Sequence, residues 1–238
     1  MEISIIIPAF NEAERIGPTL RSFYNYLIQR KDSFEIIVVD DGSTDATVPF
    51  LNSMKSGIPN LIVIPSPANK GKGNAIRTGM LHAKGKIRIF SDADGSTPID
   101  EFEKLIEPIL KSQADISIGS RYLESSEINN PQPFLRRAWS RLANSVVQQI
   151  LLPGIIDPHC GFKAFTASAS ERIFSQCEID GWSFDLEVLS LARKMKLRIN
   201  EVAVKWNNDE RSKGRISQMP AEILSVYKIK KRLKKQTT

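Results

Sequence analysis

Histidine and cysteine are scarce in this 238-residue chain, which has only His82, His159, Cys160 and Cys177. Two cysteines cannot frame a disulfide-stapled fold and suit a reducing compartment. They also lack partners at zinc-site spacing, which argues against a structural zinc. No apolar run approaches the roughly 18 residues that a membrane span needs. Met1 leads straight into a strand pattern, without a charged-then-apolar leader, so neither a spanning nor a secreted protein is expected. With 41% hydrophobic and 25% charged residues, 13 Gly and 13 Pro, the composition is that of a globular chain, and disordered, collagen-like and coiled-coil readings fall away.

Charge is unevenly placed. Lys and Arg number 33 against 27 Asp and Glu, a net charge of +6. Lys228, Lys230, Lys231, Arg232, Lys234 and Lys235 supply six of the positives with no acid among them, leaving 27 against 27 elsewhere. A nucleic-acid binder spreads basic surface and stacking aromatics over its fold, so no nucleic-acid partner is expected. A basic terminal segment beside apolar residues is what an anionic membrane surface attracts, at about 1 kcal/mol per Lys or Arg. The alternative is a solvated tail. The organisation expected is one domain over residues 1–217 and a basic C-terminal helix or tail over 218–238.

Residues 3–7 (ISIII), 35–40 (EIIVVD), 61–64 (LIVI), 87–90 (IRIF) and 115–119 (DISIG) read as strands. Their continuous apolar runs suit a parallel sheet buried on both faces. Helical periodicity separates them, through Ile16, Leu20, Phe23 and Leu27, then after Ser43-Thr44-Asp45, over 73–83, and from Thr97-Pro98. This alternation predicts an α/β fold with a Rossmann-like, doubly wound, mostly parallel sheet. In the second half, residues 134–152 read as an amphipathic helix, 161–165 as a strand, 183–195 as a helix and 198–206 as a strand, before a final helix.

In such a sheet, ligands sit beyond the carboxyl ends of the strands, and the polar clusters fall at those ends. Asp92 and Asp94 follow the fourth strand, and two carboxylates one residue apart can share a hard cation, Mg²⁺ or Mn²⁺. Asp40 and Asp41 end the second strand. Asp40 could accept hydrogen bonds from a base or ribose, and Asp41 could equally cap a helix. Pro8, Phe10 and Glu12 lie beside them as an apolar slot with a polar rim, although Phe10 could belong to the core. Lys70 and Lys72, with Gly71 and Gly73, precede a helix N-terminus, which favours an anion; a flexible surface loop is the alternative. Arg121 at the end of the fifth strand is a bidentate phosphate candidate, whereas Arg136, Arg137, Arg211 and Lys213 are either further phosphate ligands or solvated surface. Asp157, Asp185 and Glu187 are the remaining carboxylates able to orient hydroxyls or act as a base.

Together these stretches resemble family 2 glycosyltransferases of the GT-A fold, and within them the dolichyl-phosphate and polyprenyl-phosphate β-glucosyltransferases. The segments that carry the resemblance are IIIPAFNEAERI, EIIVVDDGSTDAT, NKGKGNAIRTGM, FSDADGS, IGSRY, DPHCGFKAFT, GWSFDLEVLSLARK and VAVKW. The resemblance implies that Pro8, Phe10, Glu12, Asp40, Asp41 and Lys72 meet the nucleotide, with Asp92 and Asp94 on the metal. It also implies that Arg121, Arg136, Arg211 and Lys213 meet the acceptor phosphate. The activity it implies is inverting transfer of glucose from UDP-glucose to a polyprenyl phosphate, by a cytoplasmic protein peripheral on the membrane, compatible with a membrane-protein partner. A mannosyl relative using GDP-mannose and an enzyme with a soluble hydroxyl acceptor are the alternatives.

Overall fold

The computed structural model describes residues 1–129, 144–208 and 219–235. Its main sheet holds seven strands in the order β3-β2-β1-β4-β7-β5-β8. The first half supplies β1 (Ile3–Ala9), β2 (Phe34–Asp40), β3 (Leu61–Pro65), β4 (Ile87–Ser91) and β5 (Ile116–Ser120). Helices α1 (Ile16–Gln29), α2 (Thr47–Met54), α3 (Lys72–His82) and α4 (Phe102–Leu110) connect them. Strand β7 (Phe162–Thr166) runs antiparallel to both β4 and β5, and β8 (Ile199–Ala203) extends the sheet in parallel beyond β5. Residues 144–150 belong to a helix, α5. Helices α6 (Ala167–Phe174), α7 (Phe184–Lys194) and α8 (Met219–Lys235) complete the chain.

Period-two alternation divides each central strand between two cores. Ile3, Ile5 and Ile7 of β1 face a cluster that includes Leu20, Phe23 and Leu105, whereas Ile6 faces one that includes Ile76, Met80 and Leu189. In β2, Ile36 and Val38 join the first cluster, and Ile37 and Val39 the second. A strand covered by helices on both sides favours apolar residues at nearly every position, which is the physical reason for the long apolar runs in the sequence; the buried exceptions Ser4 and Glu35 satisfy one another through a 2.6 Å hydrogen bond.

The stretch read as one strand over 198–206 is two. The chain leaves the main sheet at Val204, and β9 (Lys205–Asn207) pairs in parallel with β6 (Glu127–Asn129) as a separate ribbon. Val204 stays buried, and its N–H is held by the Ser120 carbonyl at 3.2 Å. Alternation therefore continues through the break, and the change of pairing partner has no local signature.

The C-terminal helix is seated on the body. Val226 and Ile229 of α8 are buried in the core cluster that also holds Leu189 and Leu191 of α7, and Leu233 packs against it. No helix among the described residues is long and apolar enough to cross a membrane. Replacing Ile229 with Ala should cost about 2–4 kcal/mol and leave one cooperative urea transition. Two separate transitions would show that α8 folds apart from the body.

Candidate functional site

Between β1 and β4 the strand order reverses direction, which opens a crevice at the carboxyl ends. A cleft of about 220 Å³ lies there, lined by Pro8, Phe10, Glu12, Asp41, Lys72, Asp92 and Asp94, all read from the sequence as site residues. Arg15, Asn69 and Trp182 line it too.

Its walls are locked together by side-chain caps. Asn11, in the left-handed region at φ 53°, accepts the Thr44 N–H at 2.8 Å, and its own N–H donates to Ser43 Oγ at 2.8 Å. Asp41 accepts the Lys70 and Gly71 N–H groups, each at 2.8 Å, so it fastens the loop ahead of α3 while also facing the cleft. Gly71, at φ 111°, suits a residue without a side chain at that turn. Glu12 takes a two-pronged contact from Arg15 at 2.6 and 2.7 Å. Asp40 is buried; its Oδ2 accepts the Ser43 N–H at 3.1 Å, and its Oδ1 has no protein partner.

At the end of β4, the Thr19 hydroxyl donates to the Ala93 carbonyl at 2.9 Å and steadies the Asp92-Ala93-Asp94 turn. Asp94 accepts the Ser96 N–H at 2.9 Å. Burial and the neighbouring Asp92 charge push the Asp94 pKa upward. Lys72 pairs with Asp92 at 2.5 Å. Burial alone would lower the Lys72 pKa, but the Asp92, Asp185 and Asp94 carboxylates outweigh it and hold the ammonium charged. Two hard carboxylates side by side on one turn suit one or two carboxylate bonds to Mg²⁺ or Mn²⁺, completed by phosphate oxygens. Among the described residues no group of three or more His, Cys, Asp or Glu is placed to hold a metal alone. Space for Asp92 is made across the strands: a Cβ on Gly161 would lie 2.0 Å from Asp92 Oδ2, and the Asp92 N–H donates to the Gly161 carbonyl at 3.1 Å.

Residues 4–174 match the family model "Glycosyl transferase family 2". The chain belongs to glycosyltransferase family 2. A dolichyl-phosphate beta-glucosyltransferase of Trichomonas vaginalis is 35% identical over 236 residues, covering 95% of this chain and 72% of that protein. Those of Drosophila melanogaster and Homo sapiens are 37% and 35% identical, over 90% and 89% of this chain and 69% of each relative. Among solved structures, glucosyl-3-phosphoglycerate synthase from Mycobacterium tuberculosis, in complex with Mn²⁺, UDP and phosphoglyceric acid, superposes with a TM-score of 0.70 at 20% identity, covering 96% of this chain and 76% of that one. Another crystal of that enzyme holds Mn²⁺ and UDP-glucose, with a TM-score of 0.68, 20% identity and coverage of 95% and 76%. The fold is therefore that of a GT-A glycosyltransferase.

The other site candidates of this family 2 chain are arranged differently. Arg121 meets the fully buried Asp157 through Nε at 2.7 Å, Nη2 at 2.8 Å and its own backbone N–H at 2.9 Å. Burial would raise the Asp157 pKa, but the guanidinium overrides it and holds the carboxyl below its ordinary range. The rings of Tyr122 and Trp206 each lie 5.4 Å from the guanidinium. Arg121 also lines a second cavity, with Leu123, Ile128 and Ile156. Asp185 is buried and takes the ammonium of the fully buried Lys163 at 2.6 Å. Glu187 is buried and accepts the N–H groups of Glu178 and Ile179. Arg136, Arg137, Arg211 and Lys213 lie outside the described residues.

Trp182 and Lys163 escaped the reading of the sequence. Trp182 is 49% exposed, and the Lys72 ammonium stands 5.2 Å from its ring. Its exposure is visible only in the fold, so spacing and composition offered no cue to it. Lys163 carried none either, since a lysine in a short strand reads as solvent-facing.

Two outcomes follow. Gly161→Ala forces Asp92 out of place, so UDP–Mn²⁺ affinity measured by calorimetry should fall by at least about tenfold while circular dichroism stays unchanged. Asp157 has a lowered pKa when folded, so its contribution is present above about pH 4 and is lost as acid protonates it. Asp157→Asn should cost about 3–5 kcal/mol near neutral pH and flatten the acid limb of a urea-stability profile; an unchanged limb would refute this.

Proposed function

We propose that this protein transfers glucose, with inversion, from UDP-glucose to a polyprenyl phosphate such as dolichyl phosphate. The observation that carries the reading is the cleft that gathers Phe10, Lys72, Asp92 and Asp94 beyond the strand ends. The glucosyl names of the relatives, at 35–37% identity over most of the chain, supply its specificity.

Pro8 and Phe10 offer an apolar slot for the uracil, and Asp40 keeps one buried carboxylate oxygen for a donor on the nucleoside. Asp92 and Asp94 would hold a Mg²⁺ or Mn²⁺ ion. Bound there, it would neutralise charge that develops on the departing UDP. Lys72 and the start of α3 add fixed positive charge on the same side. The acceptor phosphate oxygen attacks the anomeric carbon while the bond from that carbon to the UDP β-phosphate breaks. Because the nucleophile is already an anion, no proton has to be removed and positioning matters most. That accords with a site whose candidate bases are engaged, Asp157 by Arg121 and Asp185 by Lys163.

We assign the acceptor phosphate to Arg121, whose cavity sets a cation among polar and apolar side chains such as Asn144, Gln148, Leu123 and Ile128, together with Arg136, Arg211 and Lys213, which lie outside the described residues. With a lipid acceptor the protein would work at a membrane, and with a nucleotide-sugar donor on its cytoplasmic face. There the lysines of residues 228–235 would lie against anionic lipid, beside any membrane-protein partner.

Product analysis with radiolabelled UDP-glucose, GDP-mannose and UDP-N-acetylglucosamine against a short polyprenyl phosphate tests the reading. Glucosyl lipid should form from UDP-glucose alone and drop by at least about 100-fold in Asp92→Asn and Asp94→Asn. Mannosyl lipid, or transfer only to a soluble hydroxyl, would overturn the assignment.

A further inference from the structure

The sequence groups Arg232 with the lysines of the C-terminal helix, and the structure separates it from them. Lys228, Lys230, Lys231 and Lys234 are exposed, with Leu224 and Tyr227 on the same outer side of α8. Arg232 turns inward. Its guanidinium forms an ion pair with Glu187 of α7 and donates to Glu178 Oε2 at 2.8 Å. The Glu187 side chain is 0% exposed. Its oxygens accept the Glu178 N–H at 3.0 and 3.1 Å and the Ile179 N–H at 2.8 Å. A buried carboxylate needs a counter-charge as well as hydrogen bonds, and Arg232 supplies it.

From Glu187 the main chain leads to the cleft. The Ile179 and Asp180 carbonyls press on α3, where a Cβ on Gly73 or Gly71 would come within 2.4 Å of them. The Asn74 N–H donates to the Asp180 carbonyl at 3.2 Å, and the Asp180 carboxylate pairs with Arg77 at 2.7 Å. Two residues further, Trp182 lines the cleft beside Lys72. The segment 178–182 thus packs against the start of α3, brings Trp182 to the cleft and is held from behind by α8.

We propose that Arg232 is a positioning residue for the nucleotide-sugar donor: through Glu187 it fixes the 178–182 segment against the start of α3. The inner side of α8 is then part of the donor site's support, while its lysine-bearing outer side is free to meet lipid. The proposal rests on the nucleotide-sugar reading above. Without the arginine, Glu187 stays desolvated and uncompensated, its grip on the two amides shifts, and Trp182 and Lys72 lose a fixed relation to the donor.

The test compares wild type with Arg232→Met, Arg232→Lys and the outer-face variant K228Q/K231Q/K234Q. Each is titrated with UDP in the presence of Mn²⁺ and examined by amide hydrogen exchange. Arg232→Met should weaken UDP binding by at least about fivefold, the low end for coupled sites, with faster exchange over 178–182 and central-strand peptides unchanged. It should raise KM for UDP-glucose more than it lowers kcat, and Arg232→Lys should recover part of the loss. The outer-face variant should keep wild-type UDP affinity and lose sedimentation with phosphatidylglycerol vesicles. UDP affinity within about twofold of wild type in Arg232→Met, or an equal loss in the outer-face variant, overturns the proposal. Should Arg232→Met fail to fold, Arg232→Lys decides: faster exchange over 178–182 together with weaker UDP affinity supports the proposal, and wild-type values of either one overturn it. Wild-type protein that ignores UDP sinks the nucleotide-sugar reading instead, and the exchange comparison then still judges the arginine's hold on the segment.

Discussion

The concentration of negative charge at the end of β4, met by one ammonium, is the interaction on which the cleft depends. Asp92 and Asp94 stand one residue apart on a turn that Thr19 steadies from α1. Lys72 reaches Asp92 from the first position of α3. Each partner therefore belongs to a different layer: β4 brings the acids, α3 the cation and α1 the hydroxyl brace. Further in, Asp185 lies between the influence of Lys72 and the direct contact of Lys163. The result is a line of alternating charges running from buried strand to open cleft. Such a line tolerates burial because each member has an opposite neighbour, and its acidic outer end is left with the capacity to take a divalent ion.

The half of the sheet that builds this corner was legible because both of its faces are buried. The near-continuous apolar runs Ile5–Ile7 of β1 and Ile36–Val39 of β2 leave few readings besides a central parallel strand. The polar clusters then had to sit at the strand ends, where the cleft lies. Less legible was everything that depends on partners distant in sequence. The role of Gly161 is visible only once Asp92 is beside it. Lys163 is a core residue only because Asp185 and the Cys160 carbonyl meet its ammonium. Arg121 reads as a bare cation until Asp157 is found beneath it. Composition and spacing report which groups exist, and pairing at long range decides which of their charges remain available.

The two arginines illustrate that difference in opposite ways. Arg121 keeps its place at a strand end and lines a cavity, but two of its nitrogens are taken by a carboxylate. What it presents to the cavity is accordingly an oriented fork in a nearly neutral pair, short of a full positive charge. Arg232 sits among lysines in sequence, yet its charge is directed into the body. Summing positive residues along α8 overstates what its outer surface presents.

The short ribbon of β6 and β9 has a topological effect out of proportion to its size. Asn129 and Asn207 stand opposite one another in a parallel register, and the Asn208 N–H donates to the Asn129 carbonyl at 3.3 Å. Parallel strands emit their chains in the same direction. Two points remote in the primary structure, Asn129 and Asn207, are thereby buttoned side by side, their side chains joined by the Asn129 Nδ2–H donated to Asn207 Oδ1 at 2.9 Å, so neither end of the ribbon can slip without dragging the other.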